Sequence, residues 1–293
     1  MDVIFPYLEN LIKQIPKGKV TTFKILAEHL GSPYSLKYIL QNYKKINGWW
    51  RVVNEKGEVN DLIQKELLVR EGIDFEGNKI KNLKEYIFKD FISEKILIKY
   101  RKIQEELREK IILKDGFKKL DKIAGVDLSY KGDRAKVVYV ILDKNLNLIS
   151  KYIFEVEVEF PYIPTFLAFR EGEAILKTID KVEEFDILFV NGQGIAHPVR
   201  MGLATYIGVV KNIPTIGITR KYLYGKIVDD KILDGDILGF VLKKFNKIVY
   251  VSPGNLISLE TARDLSYRFW IKGNYPEPIR LADEISKKVR GDK

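Results

Sequence analysis

The 293-residue sequence contains no cysteine. That absence excludes a disulfide framework, a thiolate-bound zinc or iron–sulfur centre and a cysteine nucleophile. Histidine is scarce too. His29 and His197 are the two in the chain, too few for a histidine-built metal centre. A metal here would be a hard ion held by carboxylate oxygens. No apolar run approaches the ~20 residues of a membrane-spanning helix. The opening MDVIFPYLENLIKQ lacks the basic segment followed by an apolar one that marks a secretory leader. The chain is therefore expected to be intracellular, in the cytoplasm, with no membrane partner.

What the sequence does have is positive charge. Fifty Lys and Arg stand against 40 Asp and Glu, a net of +10. Residues 1–90 carry +3 of it and the remainder +7, so the charge is not a tail. A lysine-rich solvated surface and a polyanionic partner both fit this balance. The 46% hydrophobic content is enough to build real cores. At roughly 100–200 residues per domain, the length suggests two domains.

The first 90 residues read as mostly helical. Phe5 to Ile15 has helical apolar spacing and stops at Pro16-Lys17-Gly18. A helix is expected from Phe23 to Leu30, ended by Gly31, and another from Ser32-Pro33 to about Tyr43. This pair resembles a helix-turn-helix, although many helical hairpins share the pattern. Residues 93–112 read as one amphipathic helix capped by Ser93, packing on a sheet that follows. The period then changes. Ile123–Ser129, Lys136–Leu142 and Leu148–Val158 read as an antiparallel meander. A helix is expected over 165–182, a buried strand over 187–190, a helix over 199–210 and a strand over 215–219. This alternation implies a parallel extension of the sheet. A hairpin over 237–251 and two helices, 258–271 and 279–289, close the chain.

Several residues could carry chemistry. Asp127 lies inside the apolar run Ile123–Leu128, where a charge is costly unless it is paired, bound to metal or capping a turn. Phe160-Pro161-Tyr162-Ile163-Pro164 places two rigid prolines around an aromatic ring, either to hold it out or to pack it in the core. Arg170-Glu171 follows, with Glu171 open to a plain ion pair or to a site role. Asn191-Gly192-Gln193-Gly194-Ile195-Ala196-His197-Pro198 follows a hydrophobic strand and precedes a helix. That is the strand end at which ligands sit in α/β sheets, and its glycines would allow close approach. Asp283 alone reads as an ordinary helical acid. With Asp127 and Glu171 it could supply one carboxylate cluster for Mg2+, which assists phosphodiester hydrolysis.

From about 93 to 290 these segments, taken in order, resemble endonuclease V. The resemblance rests on Ile123-Ala124-Gly125-Val126-Asp127-Leu128-Ser129-Tyr130, Pro161-Tyr162-Ile163-Pro164 running to Phe169-Arg170-Glu171, and Gly192-Gln193-Gly194-Ile195-Ala196-His197-Pro198. It continues through Pro214-Thr215-Ile216-Gly217, Val251-Ser252-Pro253-Gly254, Ile257-Ser258-Leu259-Glu260-Thr261 and Pro276-Glu277-Pro278-Ile279-Arg280-Leu281-Ala282-Asp283. It implies an α/β fold, an RNase H-like mixed sheet flanked by helices. It also implies DNA repair by a Mg2+- or Mn2+-dependent cut at the second phosphodiester 3′ to deoxyinosine. Asp127 would be a metal ligand, Glu171 a second acidic residue and Asp283 an auxiliary one. Tyr162, set between Pro161 and Ile163-Pro164, would be a wedge in the gap left by the lesion. Gly192, Gly194, His197 and Gly202 would line the pocket of the flipped base. Two positions depart from the family. Asn191 stands where a second ligand Asp is usual, and Arg220 where a lysine is usual. Asn191 keeps an oxygen ligand but removes a charge, and Arg220 keeps its charge in a different shape.

Residues 1–90 resemble the DNA-binding domain of O6-alkylguanine-DNA alkyltransferases. The match rests on Ile15-Pro16-Lys17-Gly18-Lys19-Val20-Thr21-Thr22-Phe23, Leu26-Ala27, Arg51-Val52-Val53 and Glu71-Gly72. The family's acceptor motif Pro-Cys-His-Arg reads Gly48-Trp49-Trp50-Arg51 here. Trp49 thus occupies the cysteine position, as in alkyltransferase-like proteins that bind lesions without repairing them. Trp50 replaces the histidine, Lys37 the intercalating arginine and Phe23 the base-flipping tyrosine. Trp49 and Trp50 would line an alkylbase pocket or fill the domain core.

The combined expectation is a monomeric two-domain protein. A small helix-turn-helix-type module (1–90) without alkyl-transfer activity would precede a deoxyinosine endonuclease (93–290). Its partners would be duplex DNA with deoxyinosine, O6-alkylguanine DNA and inosine RNA. The competing expectation is a nuclease-impaired protein, disabled at Asn191, that binds damage and recruits other repair factors.

Overall fold

The computed structural model describes residues 2–290. They form two compact units. One comprises Asp2–Lys102 with Phe160–Pro164, and the other Ile103–Glu159 with the residues from Thr165 onward. Among the described residues no helix is long and apolar enough to cross a membrane.

The first unit is built from short helices. Phe5–Lys13 buries Leu8, Leu11 and Ile12 on one face. Phe23–Leu30 starts where the Thr22 hydroxyl accepts from Ile25 N, and ends at Gly31 with φ of 94°. Ser32 caps a short 3-10 turn, Pro33–Ser35, before the helix Leu36–Asn42. The expected helical pair is therefore present, with a tighter turn at its second entry.

The helix expected over 93–112 is shorter, Ile96–Arg108. Ser93 does not cap it. Lys95, at φ 45°, breaks the approach, and the Ser93 hydroxyl pairs with His29 Nδ1 at 3.0 Å. Nor does this helix lie wholly with the sheet, because its first half, to Lys102, belongs to the first unit. Ile103, expected on its apolar stripe, is 41% exposed, whereas Gln104 is buried.

The second unit is a nine-stranded mixed sheet. Across it the strands run Lys226–Val228, Lys231–Asp234, Asp236–Lys244, Lys247–Asn255, Thr215–Thr219, Ile187–Asn191, Lys122–Lys131, Arg134–Asp143 and Leu148–Glu157. The meander is antiparallel, and Lys122–Lys131, Ile187–Asn191 and Thr215–Thr219 are mutually parallel, as expected. Strand alternation sends side chains to opposite faces. Ile123, Ile187, Phe189, Ile216 and Ile218 pack under Ala262, Leu265, Phe269 and Ile279 of the last two helices, Leu259–Phe269 and Glu277–Arg290. Ala124, Val126, Leu188 and Val190 pack on the other face, under Ile175, Leu203, Ala204 and Ile207.

One element corrects the sequence reading. In place of a regular helix over 165–182 there is a π-helical turn, Ala168–Gly172, then Glu173–Leu176 and a 3-10 turn, Ile179–Lys181. Thr165 opens it at φ 68°. The wide turn turns the backbone at Arg170-Glu171 away from the direction a 3.6-residue helix would give it. Gly172 accommodates the turn, since a Cβ there would stand 2.7 Å from the Tyr206 ring.

Candidate active site at the ends of the parallel strands

Sheet register brings two of the expected residues together. Val126 pairs with Val190, so the next residues, Asp127 and Asn191, end up side by side on adjacent parallel strands. Asn191 Nδ2 donates to Asp127 Oδ1 at 2.8 Å. The second carboxylate oxygen accepts from the Ser286 hydroxyl, on the C-terminal helix. Asp127 is 7% exposed. Burial raises its pKa, the Ser286 and Asn191 hydrogen bonds pull it back, and the charge of Asp283 raises it again, leaving it above the ordinary carboxylate value.

The C-terminal helix reaches Asp127 because Gly125 has no side chain. A Cβ at that position would fall 2.2 Å from the Pro278 carbonyl oxygen. The helix therefore lies directly on the strand and carries Asp283 and Ser286 toward Asp127. Asp283 is held by Lys287 at 2.6 Å.

Glu171 is coupled to the same charge. Its pKa is pushed up to about 7, first by burial and then by the negative charge of Asp127. The Tyr130 hydroxyl and the Arg170 cation oppose that rise. Arg170 lies 4.5 Å above the Tyr130 ring. Arg220 follows the strand Thr215–Thr219 and is exposed. Its cation is felt at Tyr275, whose pKa is pushed up to about 12, chiefly by burial and then by the charge of Asp283. Asp127 and Asn191 act on Tyr275 as well. Sequence reading missed Tyr275 and Ser286. Ser286 lies three residues after Asp283, on the same helix face, and that spacing was the available signal.

Among the described residues no three His, Asp or Glu side chains group closely enough to hold an ion by themselves. The expected trio of Asp127, Glu171 and Asp283 is not such a cluster. The neighbour that does stand beside Asp127 is a neutral amide, Asn191. The donors that remain fit a hard divalent cation all the same. They are the buried Asp127 carboxylate, the Asn191 amide oxygen and a Glu171 carboxyl destabilised by like charge. An ion of that kind binds through one or two carboxylates and keeps water or phosphate oxygens as its other ligands.

The loop after Asn191 is tightly made. Gly194 N donates to the Ser252 hydroxyl at 2.8 Å, and Gly202 N to the Gly194 carbonyl at 3.1 Å. A Cβ at Gly194 would stand 2.1 Å from the Pro253 carbonyl oxygen, and one at Gly202 2.4 Å from that of Gln193. Gly192 packs on Leu203. These glycines thus serve backbone packing, where the sequence alone suggested ligand approach. His197 is 3% exposed. Its Nδ1 accepts from Val199 N at 3.4 Å, which leaves Nε2 to donate to the Thr165 carbonyl at 3.2 Å. The ring braces Thr165.

In the first unit, Tyr162 is 52% exposed while its neighbours Phe160 and Ile163 are buried. Phe160 packs edge-on to Tyr100 at 4.9 Å. With Pro161 and Pro164 fixing the backbone, the ring is held outward, so core packing does not account for it. Lys37 Nζ lies 5.9 Å from that ring. Trp50 and Arg51 are committed to Glu71. Trp50 Nε1 donates to it at 2.8 Å, and Arg51 binds both its oxygens at 2.8 and 2.9 Å. Burial would raise the pKa of Glu71, but these bonds and that of Gly18 N hold it below the usual range. Trp49 is separate from this lock. It is half-buried in a row with Tyr43 at 6.2 Å and Phe23 beyond, and Lys44 lies 4.8 Å above its ring.

Comparison with known proteins matches this geometry to a family. The endonuclease V family profile matches residues 105–284. A bifunctional methyltransferase-like/endonuclease of Nanoarchaeum equitans is 41% identical over 286 residues, 97% of this chain and 91% of that protein. Its length accounts for the N-terminal unit as well. The endonuclease V structure from Streptomyces avermitilis superposes with a TM-score of 0.62 at 30% identity, covering 67% of this chain and 93% of that one. The endonuclease V of Ciona intestinalis, solved with a 23mer DNA containing an inosine, superposes at 0.60 with 26% identity, over 68% and 98% of the two chains. With the family matched over more than half of its length, the chain belongs to the endonuclease V family of metal-dependent DNA repair endonucleases.

Proposed function

We propose that this protein hydrolyses the second phosphodiester 3′ to deoxyinosine in duplex DNA, with Mg2+ or Mn2+. The observation that carries the reading is the placement of Asp127, midway along its strand, beside Asn191, the last residue of the adjacent parallel strand, with Glu171 raised by the same charge. A bound divalent ion supplies positive charge to the phosphate and lowers the pKa of water. Asp127 and the Asn191 amide oxygen would hold it, and Ser286 fixes the Asp127 carboxylate through its hydroxyl. Glu171, buried within the field of Asp127, would take a proton from the attacking water. Arg220 places a cation at the same strand ends, for the scissile phosphate. Asp283, tied to Lys287, sets the local negative charge. Tyr162 fills the gap left by the extruded base. The rigid loop of Gly192, Gly194, Gly202 and His197 walls its pocket. Extrusion costs a few kcal/mol and least at a mispaired base, which favours deoxyinosine. The protein would act as a cytoplasmic monomer.

One observation favours the second reading, a damage-binding protein impaired in cleavage. The Asn191 amide spends a hydrogen bond on Asp127 where a charge would serve the metal. A labelled duplex with one deoxyinosine separates the two. Incubation with either metal should give a nick at the second 3′ phosphodiester. Asn191→Asp should raise the rate at limiting metal. Retained binding with no nick in Mg2+ or Mn2+ would establish the second reading instead.

A further inference from the structure

The hairpin that begins at Asp127 continues past the site and carries a second charged feature. Its strands, Lys122–Lys131 and Arg134–Asp143, pair Ser129 with Lys136 and Lys131 with Arg134. Cross-strand partners share a face, and so do residues two apart, so Asp127, Ser129 and Lys131 point the same way as Lys136 and Arg134. At ~3.3 Å per residue, Lys131 lies roughly 13 Å along the strand from Asp127. Ser129, Lys131, Arg134, Lys136, Glu155 and Val289 line a cavity of about 390 Å3 there.

Among the residues lining the cavity, three cations face one carboxylate, Glu155, while Glu157, the cross-strand partner of Arg134, shares the face outside that lining. Arg134 Nη1 meets Glu155 at 2.9 Å, both side chains largely exposed. Lys136 Nζ donates one hydrogen to the Val289 carbonyl at 2.8 Å, which leaves two for another acceptor. A neutral donor completes the set. Ser129 is 7% exposed, and its hydroxyl has no hydrogen-bond partner among the described residues. A buried hydroxyl without a partner points to an acceptor that enters from outside. Several cations with one neutral O–H donor match a phosphodiester oxygen pair.

We propose that this cavity binds a backbone phosphate of the DNA strand, a few nucleotides from the one cut at Asp127. The proposal rests on the nuclease reading for the strand's path, and on the cavity's own charge for the ligand. Its role is affinity and register on the duplex. It does not touch the reacting atoms.

The test uses the full chain, metal-free, binding undamaged and deoxyinosine duplexes over a range of KCl. Lys131→Gln with Arg134→Gln should weaken binding to both and lower the slope of log K against log salt by about 0.9 for the phosphate lost. Ser129→Ala should lower affinity at constant slope, because it removes an uncharged donor. Glu155→Gln should strengthen binding, since it frees Arg134. Lys131→Arg with Arg134→Lys should keep the original slope, which separates charge from a folding defect. The nicking rate at saturating protein should stay within about twofold, as expected for a contact that positions the duplex without entering the reaction. An unchanged slope in the double Gln variant, or weaker binding in Glu155→Gln, would overturn the proposal. If the unaltered protein fails to nick, the nuclease reading falls, while the salt slopes still decide the cavity.

Discussion

At the scale of single residues, the site is a problem in placing negative charge. Asp127 is buried and stays in place because two neutral donors hold it, Asn191 Nδ2 and the Ser286 hydroxyl. Glu171 answers the same field by holding its proton, with a pKa near 7 against an ordinary 4.5. A carboxyl whose folded pKa is raised binds its proton more tightly in the native state than in the unfolded one. The associated stability is present below about pH 4.5 and is lost as pH rises through about 7. Glu171→Gln should therefore flatten the pH dependence of stability in metal-free protein. At pH 8 it should stabilise the fold by on the order of 2–3 kcal/mol. Denaturant midpoints at pH 5 and pH 8 measure this, and a variant no more stable than the unaltered chain at pH 8 would contradict it. The same substitution should abolish nicking, because an amide takes no proton. Asp127, Glu171 and Asn191 were legible in the sequence as motif positions. Ser286 and Tyr275 were not, since an ordinary helical serine and a loop tyrosine show their role only where they meet Asp127 and Asp283 in space.

At the scale of elements, the determining contact is between the strand Lys122–Lys131 and the helix Glu277–Arg290. Gly125 permits it, with the Pro278 carbonyl occupying the space of the missing side chain. Gly125→Ala should push the helix off the strand and carry Ser286 away from Asp127. The expected cost is about 1–3 kcal/mol of stability from overpacking. Misplacement of the carboxylate should reduce nicking by on the order of tenfold to a hundredfold. Thermal unfolding and single-turnover nicking read the two effects separately. Wild-type values in both would mean the close approach is not needed. Seven of the nine strands were legible, because alternation and apolar runs are local signals, whereas Lys226–Val228, Lys231–Asp234 and the order across the sheet were not. The turn at Ala168–Gly172 was not. Its apolar spacing is that of a helix, and the π geometry follows from packing of Gly172 on Tyr206 and from the left-handed Thr165. The glycines after Asn191 stood out in the sequence, and what the structure shows of them is close packing, on Leu203 at Gly192 and on backbone carbonyls at Gly194 and Gly202.

At the scale of the whole molecule, the described residues fall into two compact units. The relative from Nanoarchaeum equitans spans nearly the full chain, so the two-part arrangement is not peculiar to this sequence. In the first unit, Glu71 gathers Trp50, Arg51 and Gly18 into one half-buried lock, a structural role for Trp50 and Arg51. Trp49 stays outside that lock, half-buried with Tyr43 and Phe23. The lesion-binding reading of this unit puts Trp49 forward as the ring that would meet a base, and that reading is open to a direct test. The full chain should bind an O6-methylguanine duplex more tightly than an undamaged one, and Trp49→Ala should remove the difference. Equal affinities before substitution would reduce the unit to a general DNA anchor. Trp50→Ala should instead destabilise the unit, because it leaves Glu71 short of a buried partner.

The sequence by itself determined which chemistry this protein can attempt. With no cysteine, an alkyl-accepting thiolate is excluded wherever the chain folds, and tryptophan stands in its place. It also determined most of the individual strands and the motif positions, because those depend on residue type and near-neighbour spacing. Tertiary structure decided the rest. That Asp127 meets Asn191, Ser286 and the field of Glu171 follows from sheet register and from one helix lying close on one glycine. Such contacts join residues 64 and 159 positions apart. No local pattern encodes that distance, and packing alone settles it.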